Sequence, residues 1–259
     1  MGIITDIVDD LTGNIDPRHD AYIASSPYFP CGFLLAYIFI IKILGPKLMQ
    51  NRQPYNIKNI LIGYNLIQIL VNAFIVYEGT YVYFSNSNWV CIDTTEKDLL
   101  ADARKNYYFL KLLDCVETVF FILRKKYQQA SFLHIYHHTG IVIAAFMGFR
   151  YDFGDTVLII GGLNSLTHVL MYVYYLLSAL DSRWSKYTTI KKGITILQIV
   201  QLNVILFSLT TAKLIPGCKS VPPYTLFIWT LQNVFMINLF VRFYIRSYVN
   251  NQKSVSKKK

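Results

Sequence analysis

Seven long apolar stretches constrain the fold of this chain more than any other feature of its sequence. They run over residues 28–48, 60–84, 107–123, 132–149, 156–180, 194–215 and 224–249. Each has the roughly 20 apolar positions that a helix needs to cross a bilayer, although two of them include several polar residues. A composition with 54% hydrophobic and 15% charged residues is also too apolar for an ordinary soluble surface. We therefore predict an all-α, polytopic membrane protein in which seven transmembrane helices form a bundle or barrel.

The segments outside these stretches are short. We divide the chain into an N-terminal tail (1–27), a seven-helix membrane domain (28–249) and a basic C-terminal tail (250–259). The N-terminal tail is mostly polar, contains five aspartates, and has no basic region leading into the first apolar stretch, so it lacks the pattern of a cleaved signal peptide. Because no loop is long enough to form a soluble domain, we expect any chemistry to lie inside or at the rim of one helical bundle.

The distribution of charge predicts the orientation of this bundle. Alternate segments hold 17 of the 25 Lys and Arg residues, and the other side holds 12 of the 15 Asp and Glu residues, including Glu78 near the end of the second stretch. The basic segments are 42–58, 124–126, 183–192 and 242–259. Lys and Arg collect on the cytoplasmic side of membrane proteins. We therefore predict a luminal N-terminus and a cytosolic C-terminus.

The net charge of +10 is explained by these loops, and we expect no nucleic acid partner. The basic loop residues could also pair with anionic lipid headgroups or with the phosphates of a cytosolic ligand. These residues are Arg124, Lys125, Lys126, Lys191 and Lys192. Topology alone is the alternative explanation for their charge.

The four cysteines fall into two groups. Cys31 and Cys115 lie in apolar stretches, whereas Cys91 and Cys218 lie in loops that we assign to the lumen. Because the lumen is oxidising, we predict a disulfide between Cys91 and Cys218, with two free thiols as the alternative.

Polar residues inside the apolar stretches indicate a functional site, since such groups are costly at membrane depth. The set comprises Lys111, Asp114, Glu117, His134, His137, His138, Asn164, Ser165, His168, Gln198 and Gln201. The three histidines of FLHIYHH lie at i, i+3 and i+4, which places their imidazoles on one helix face. A rise of 1.5 Å per residue gives the depth of each group below the cytosolic end of its stretch. These histidines and Glu117 lie about 10 Å deep, the two glutamines roughly 6 to 12 Å, and His168 about 18 Å. We expect one site in the cytoplasmic half, with structural polar contacts as the alternative.

Metal binding has to be weighed because the histidine spacing is similar to that of membrane di-iron desaturases and hydroxylases. Those enzymes use more histidines than the five present here, one of which, His19, lies in the N-terminal tail. A zinc site formed by His134, His138 and His168 is possible, since three ligands and a water molecule make a catalytic zinc site. We expect no metal, and keep a di-iron or zinc lipid-modifying enzyme as an alternative.

Four sequence motifs together resemble the ELO family of very-long-chain fatty acid elongases. QASFLHIYHH at 129–138 is similar to the family's Q-x-x-F-L-H-x-Y-H-H motif, and NSLTHVLMYVYY at 164–175 to its N-S-x-x-H-x-x-M-Y-x-Y-Y motif. TILQIVQ at 195–201 and KLLDCVET at 111–118 resemble two further motifs. In the last motif, Asp114 stands where the family has Glu and Glu117 where it has Asp. The resemblance covers nearly the whole chain from 28 to 249.

The resemblance implies a 3-oxoacyl-CoA synthase, an acyltransferase of the endoplasmic reticulum membrane. Such an enzyme condenses long-chain acyl-CoA with malonyl-CoA and releases CO2 and CoA. It implies catalytic roles for His134, His137, His138 and His168, with His137, or else His138, accepting the acyl group. An imidazole that acts only as a base is the competing mechanism.

The resemblance also implies a set of substrate-binding residues and partners. The binding residues are Lys111, Asp114, Glu117, Arg124, Lys125, Gln129, Asn164, Lys192, Gln198 and Gln201. We expect an apolar tunnel that runs from the histidines toward the lumen and holds the acyl tail. The expected partners are acyl-CoA, malonyl-CoA, membrane lipids and the other enzymes of the elongation cycle. We expect no cofactor. Both a monomer and a homodimer are compatible with the sequence. The alternative that is not an enzyme is a seven-helix receptor or transporter.

Overall fold

The computed structural model describes residues 16, 18, 22–85, 97–151, 156–212 and 221–250, and the regular structure in these residues is helical. In chain order the helices are α1 (Tyr28–Met49), α2 (Lys58–Ser85), α3 (Lys97–Asp114), α4 (Val116–Leu123), α5 (Phe132–Arg150), α6 (Thr156–Leu180), α7 (Thr188–Ala212) and α8 (Pro223–Asn250). Helix α1 contains a π-helical segment at Ile40–Leu44, and α8 ends in another at Ile245–Asn250.

Six helices of the described part of the chain are long and apolar enough to cross a membrane: α1, α2, α5, α6, α7 and α8. The predicted stretch 107–123 coincides instead with the end of α3 and with α4. These two helices meet at Cys115, which keeps helical dihedral angles (φ −63°, ψ −23°). The Cys115 N–H donates to the Leu112 carbonyl at 3.3 Å, so the chain tightens locally into a three-residue turn. The six helices define a multi-pass membrane protein.

One helix boundary differs clearly from the sequence expectation. Helix α7 begins at Thr188, six residues before the predicted stretch 194–215, and includes Lys191 and Lys192. Long basic side chains can extend from a helix end toward water while their stems cover apolar surface, so they do not end the helix. Gln198 and Gln201 therefore lie deeper along α7 than the 6 to 12 Å predicted from the sequence.

The helices form a closed ring around an interior space. Each packs against its neighbours in the order α2, α3, α5, α8, α7, α6 and back to α2. Helix α1 lies outside this ring, where it contacts α4 and α5. Gly45 of α1 approaches Ile122 of α4 so closely that a Cβ atom on Gly45 would lie 2.8 Å from the Ile122 side chain. Eight of the eleven polar residues that the sequence placed inside the membrane are buried.

A buried ion-pair network lies at one end of the ring. Asp16 is bound by Arg104 of α3, with Nη2 2.8 Å from Oδ2, and by Arg18, with Nη2 2.6 Å from the same oxygen. The backbone N–H of Asp16 donates to the carbonyl of Arg150 at the end of α5. Burial alone would raise the pKa of Asp16, but hydrogen bonds from Arg18 and the charges of Arg18 and Arg104 lower it below its ordinary value. We call the opposite end, where the loops 50–57, 124–131 and 181–187 lie, the basic end.

Candidate active site

The start of α5 determines where its histidines lie. Ser131 is the N-cap residue, and its hydroxyl oxygen accepts the backbone N–H of His134. The ring centroids of His134 and His138 are 4.3 Å apart, and those of His137 and His138 are 5.3 Å apart. His168 of α6 faces this cluster, with its ring centroid 6.4 Å from that of His137. Imidazoles from two helices therefore share one buried site.

Helix α3 contributes an ion pair next to His168. The Nζ atom of Lys111 lies 2.8 Å from Oδ2 of Asp114, and both side chains have no exposed surface. The same oxygen of Asp114 lies 3.6 Å from Nδ1 of His168. Lys111 also lies over the ring of Tyr107, 4.9 Å from its centroid. Because a buried charge needs a partner, Lys111 and Asp114 hold each other beside the imidazole.

Asn164 is oriented by a residue that the sequence motifs did not indicate. The Tyr107 hydroxyl donates to Oδ1 of Asn164 at 3.1 Å. Since this oxygen is occupied, the Nδ2 group is the one that Asn164 can offer to a ligand.

A second hydrogen-bond chain holds His134. Its Nε2 atom lies 2.9 Å from the Thr118 hydroxyl, which in turn lies 2.8 Å from the Tyr37 hydroxyl of α1. The sequence did not indicate Tyr37, although it lies inside the first apolar stretch and its hydroxyl needs a partner when buried. The helix outside the ring thus takes part in positioning a histidine inside it.

Glu117, His134 and His138 form a group that could hold a metal ion. Each offers one ligand atom, and these atoms lie within 4.8 Å of one another. The zinc alternative from the sequence used His168 as the third ligand. The structure places Glu117 with His134 and His138, whereas His168 lies next to Asp114 and to the ring of Tyr172, 5.7 Å away. Two histidines and one glutamate are a known zinc ligand set.

Three polar side chains along α2 form a hydrogen-bonded chain that the sequence motifs did not indicate. Nε2 of Gln68 donates to the Tyr64 hydroxyl at 2.8 Å, and Nδ2 of Asn72 donates to Oε1 of Gln68 at 3.0 Å. The Tyr64 ring packs edge-on against that of Tyr172, which in turn contacts His168. These residues are spaced four apart, which places them on one helix face, so their proximity was predictable from the sequence.

A wide cavity opens at the basic end and contains several of the predicted binding residues. Glu117, Arg124, Gln129 and Gln198 line it. Its basic lining residues are Lys58, Arg124, Lys126, Arg183 and Lys191. Burial lowers the pKa of Lys126 below its usual range, and the neighbouring charge of Arg124 lowers it further.

Two predicted binding residues lie elsewhere. Lys125 donates to the Gln50 carbonyl at 3.3 Å, and Lys192 lies over the Tyr244 ring, 5.7 Å from its centroid. Neither lines the wide cavity, because adjacent residues in a turn or helix point in different directions. Lys126 and Lys191, their neighbours in the sequence, line it instead.

A second cavity of about 100 Å³ lies inside the ring. His137, Asn164 and Gln201 contribute to it, and apolar residues form most of the remaining wall. These apolar residues include Ile141, Ala144, Ile160, Leu202, Ile205 and Leu209. Along α5 and α7, which both start at the basic end, the lining continues beyond His137 and Gln201 to Ala145 and Leu209. The inner cavity therefore extends from the histidines away from the basic end.

The predicted disulfide lies outside the described residues, as do both Cys91 and Cys218. Of the cysteines in the described part of the chain, Cys31 is exposed and Cys115 is buried, and both are free thiols.

These observations define a class of protein: a multi-pass helical membrane protein with a buried histidine site between an apolar cavity and a basic opening. Comparison with known sequences makes the class specific. The family described as ELO, the GNS1/SUR4 family, matches residues 22–256. The chain belongs to this family.

Relatives of similar length support the same assignment. The chain is 36% identical to very long chain fatty acid elongase 5 of Xenopus laevis, over 97% of this chain and 85% of the relative. It is 33% identical to very long chain fatty acid elongase F of Drosophila melanogaster, over 91% of this chain and 94% of the relative. It is 31% identical to very long chain fatty acid elongase 1 of Mus musculus, over 98% and 93%. The similarity therefore extends over nearly the whole of each protein.

Proposed function

We propose that this protein is a fatty acid elongase that condenses long-chain or very-long-chain acyl-CoA with malonyl-CoA to give 3-oxoacyl-CoA, CO2 and CoA. Membership of the ELO family and the names of the relatives support fatty acid elongation. The observation that carries the proposal is the position of the histidines. His137 lines the inner cavity and faces His168, with ring centroids 6.4 Å apart. Glu117, which lies with His134 and His138, lines the basic opening. This arrangement suits a substrate with a long apolar tail and a polyanionic head.

The two cavities divide the substrate between them. The phosphates of CoA bind at the basic opening, where Arg124, Lys126 and Lys191 provide positive charge. The acyl tail enters the inner cavity, whose wall is mainly apolar. The thioester then lies between them, next to His137.

The reaction proceeds in two steps through an acyl-enzyme. An imidazole nitrogen of His137 attacks the carbonyl carbon of the thioester, the carbon–sulfur bond breaks, and the CoA thiolate takes up a proton. Loss of CO2 from malonyl-CoA then leaves an enolate, whose carbon attacks the acyl carbon on His137. This second step forms the new carbon–carbon bond and releases His137. His138 is the alternative acyl carrier.

The surrounding residues orient the reacting groups. His168 acts as base or as a second imidazole contact, and the Lys111–Asp114 pair beside it fixes its position. Asn164 offers its Nδ2 group to a carbonyl oxygen, because Tyr107 occupies its Oδ1. Gln198 and Gln201 bind the malonyl and thioester groups. Glu117, Gln129 and His134 support the site from the side of the basic opening.

The setting of the enzyme follows from the charge pattern and the family. We propose seven spans, with α3 and α4 together forming the third, a luminal N-terminus and a cytosolic C-terminus in the endoplasmic reticulum membrane. The basic opening then faces the cytosol, where CoA esters are dissolved. We expect the reductive steps of elongation to belong to other enzymes, since no stretch of this chain resembles a nicotinamide-binding motif.

Incorporation of radiolabelled malonyl-CoA by membranes that express the chain tests the proposed activity. Wild-type membranes should incorporate label into a chain two carbons longer, and a His137→Ala variant should not. Replacing His19, which lies in the N-terminal tail far along the chain from the site, is the matched control and should leave activity unchanged. Equal activity of His137→Ala and wild type would remove His137 from the mechanism while leaving the activity intact.

Intact-mass measurement separates the acyl-enzyme from a simple base mechanism. With acyl-CoA alone, wild type should gain the mass of one acyl group, and His137→Ala should not. Absence of added mass in wild type at every acyl length and pH would leave only the base role.

A metal-dependent lipid-modifying enzyme is the second candidate, because Glu117, His134 and His138 offer three ligand atoms close together. Elemental analysis of purified protein and activity after chelation distinguish the two. We expect metal well below one ion per chain and full activity after chelation; stoichiometric zinc or iron whose removal abolishes activity would favour the second candidate.

A further inference from the structure

Helix α8 carries two adjacent amides, Gln232 and Asn233, in the middle of an apolar sequence. Both line the inner cavity, together with His137, Asn164 and Gln201. Gln232 is bound from outside the cavity, since the Tyr136 hydroxyl donates to its Oε1 atom. Asn233 differs from Gln232 because it has no such contact.

Asn233 is a buried amide whose hydrogen-bonding groups are both unused. The residue is 6% exposed, and neither its Oδ1 nor its Nδ2 atom has a hydrogen-bond partner among the described residues. A buried polar group without a partner costs free energy, so such groups are rare in folded proteins unless a ligand or water completes them. Leucine has nearly the same shape and would avoid this cost. The amide at this position therefore points to a polar group of a bound ligand.

The packing of α8 against α5 locates Asn233 relative to the histidines. The Gln232 amide occupies the space that a Cβ atom on Gly140 would need, so Gln232 lies directly against Gly140. Gly140 follows His137 by three residues, which corresponds to a rise of about 4.5 Å along α5. Because α8 runs back toward the basic end, Asn233 lies about 1.5 Å nearer that end than Gln232, and therefore only about 3 Å farther from it than His137.

We infer that Asn233 is a substrate-contacting residue, whose Nδ2 group donates a hydrogen bond to the carbonyl oxygen of the acyl group while that group is transferred to His137. This inference rests on the proposed function, in which the thioester carbonyl lies beside His137 and the tail continues into the inner cavity. The carbonyl oxygen is the polar atom of an acyl group that comes nearest to the apolar part of the cavity. A donor at this place stabilises the negative charge that develops on the oxygen during attack.

The first test compares Asn233→Leu with Asn203→Leu, the same substitution at an exposed position of α7 that lines neither cavity. Release of CoA from acyl-CoA without malonyl-CoA reports the acyl-transfer step alone. We expect Asn233→Leu to slow this step by about 100-fold, as the loss of one such donor does in other enzymes. We also expect its thermal unfolding temperature in detergent to equal or exceed that of wild type, because an unpartnered amide is removed. Asn203→Leu should remain within about threefold of wild type in rate.

The second test uses binding, so that it does not depend on turnover. The probes are two CoA thioethers with the same long alkyl chain: a 2-oxoalkyl-CoA, which has a carbonyl group, and an alkyl-CoA, which has none. Wild type should be stabilised more strongly by the oxo compound, and Asn233→Leu should be stabilised equally by both. A preference for the oxo compound that survives in Asn233→Leu would overturn the inference, as would wild-type acyl transfer by that variant. A wild type that incorporates no malonyl label would instead contradict the proposed function.

Discussion

Replacing Lys111 by methionine removes the positive charge from an ion pair that has no exposed surface on either side chain. The Nζ to Oδ2 distance is 2.8 Å, and the other carboxylate oxygen of Asp114 has no hydrogen-bond partner in the described part of the protein. Lys111→Met therefore leaves Asp114 as a buried carboxylate without its counter-charge. Removing one partner of such a pair costs about 3–5 kcal/mol in free energy of unfolding. We expect a loss of this size for Lys111→Met.

The double variant Lys111→Met/Asp114→Leu should recover most of this stability, because replacing both members of a buried pair by apolar residues is often neutral or stabilising. Equilibrium unfolding in mixed detergent micelles, followed by tryptophan fluorescence, measures wild type, Lys111→Met, Asp114→Leu and the double variant. Lys105→Met is the matched control: its pair with Asp102 is partly exposed, so about 0–1 kcal/mol is expected. If the changes in free energy of unfolding of the two single variants sum to that of the double variant within about 0.5 kcal/mol, the pair is not coupled and the reasoning fails. The double variant should fold but lack elongation activity, since His168 loses its neighbouring carboxylate.

Three other predictions address stability and redox state. Asp16→Asn should destabilise the protein by about 3–5 kcal/mol at neutral pH, because it removes the carboxylate from a buried ion pair with Arg104. The folded protein lowers the pKa of Asp16 below its ordinary 3.8. This stabilisation should therefore be complete above pH 3.8 and should disappear as the pH falls through the lower pKa that Asp16 has in the folded protein. If Asp16→Asn unfolds with the same pH dependence as wild type, the prediction is wrong. Gly45→Ala should cost about 1–3 kcal/mol, because the new methyl group meets both the Ile40 carbonyl oxygen of α1 and the Ile122 side chain of α4. Gly63→Ala, with no atom within 4 Å, should be neutral or stabilising, and equal melting temperatures for the two variants would contradict this prediction. Cys91→Ser should abolish the mobility shift of the oxidised protein on a non-reducing gel, and an unchanged shift would exclude the predicted disulfide.

The positions of most membrane-spanning helices could be predicted from the sequence alone. The stretches 28–48, 132–149 and 224–249 agree with the observed helices to within one residue at each end. Apolar length is a local property of the chain, and a lipid environment requires nearly every such segment to be a helix. The sharing of one face by the histidines of α5 was predictable for the same reason, because helical periodicity acts within a few residues.

The composition of the site depended on which helices are neighbours, and periodicity carries no information about that. Tyr107 and Asn164 are 57 residues apart in sequence, and their contact exists because α3 and α6 pack side by side. In the same way, Glu117 of α4 meets His134 and His138 of α5 in the group that could hold a metal ion, and His168 is not part of that group. Asn233 was missed although it lies inside an apolar stretch, where its amide was a usable signal.

The sequence by itself determined that the chain spans a membrane, that its helices carry costly polar groups, and that their motifs resemble one family. Only the tertiary structure decided which of those groups meet, which are satisfied by one another, and which face an open cavity. The physical reason is that the side chains that share one face of a helix are a few positions apart in the sequence. The partners of a buried polar side chain, in contrast, come from other helices, whose order around the ring is set by packing over the whole molecule.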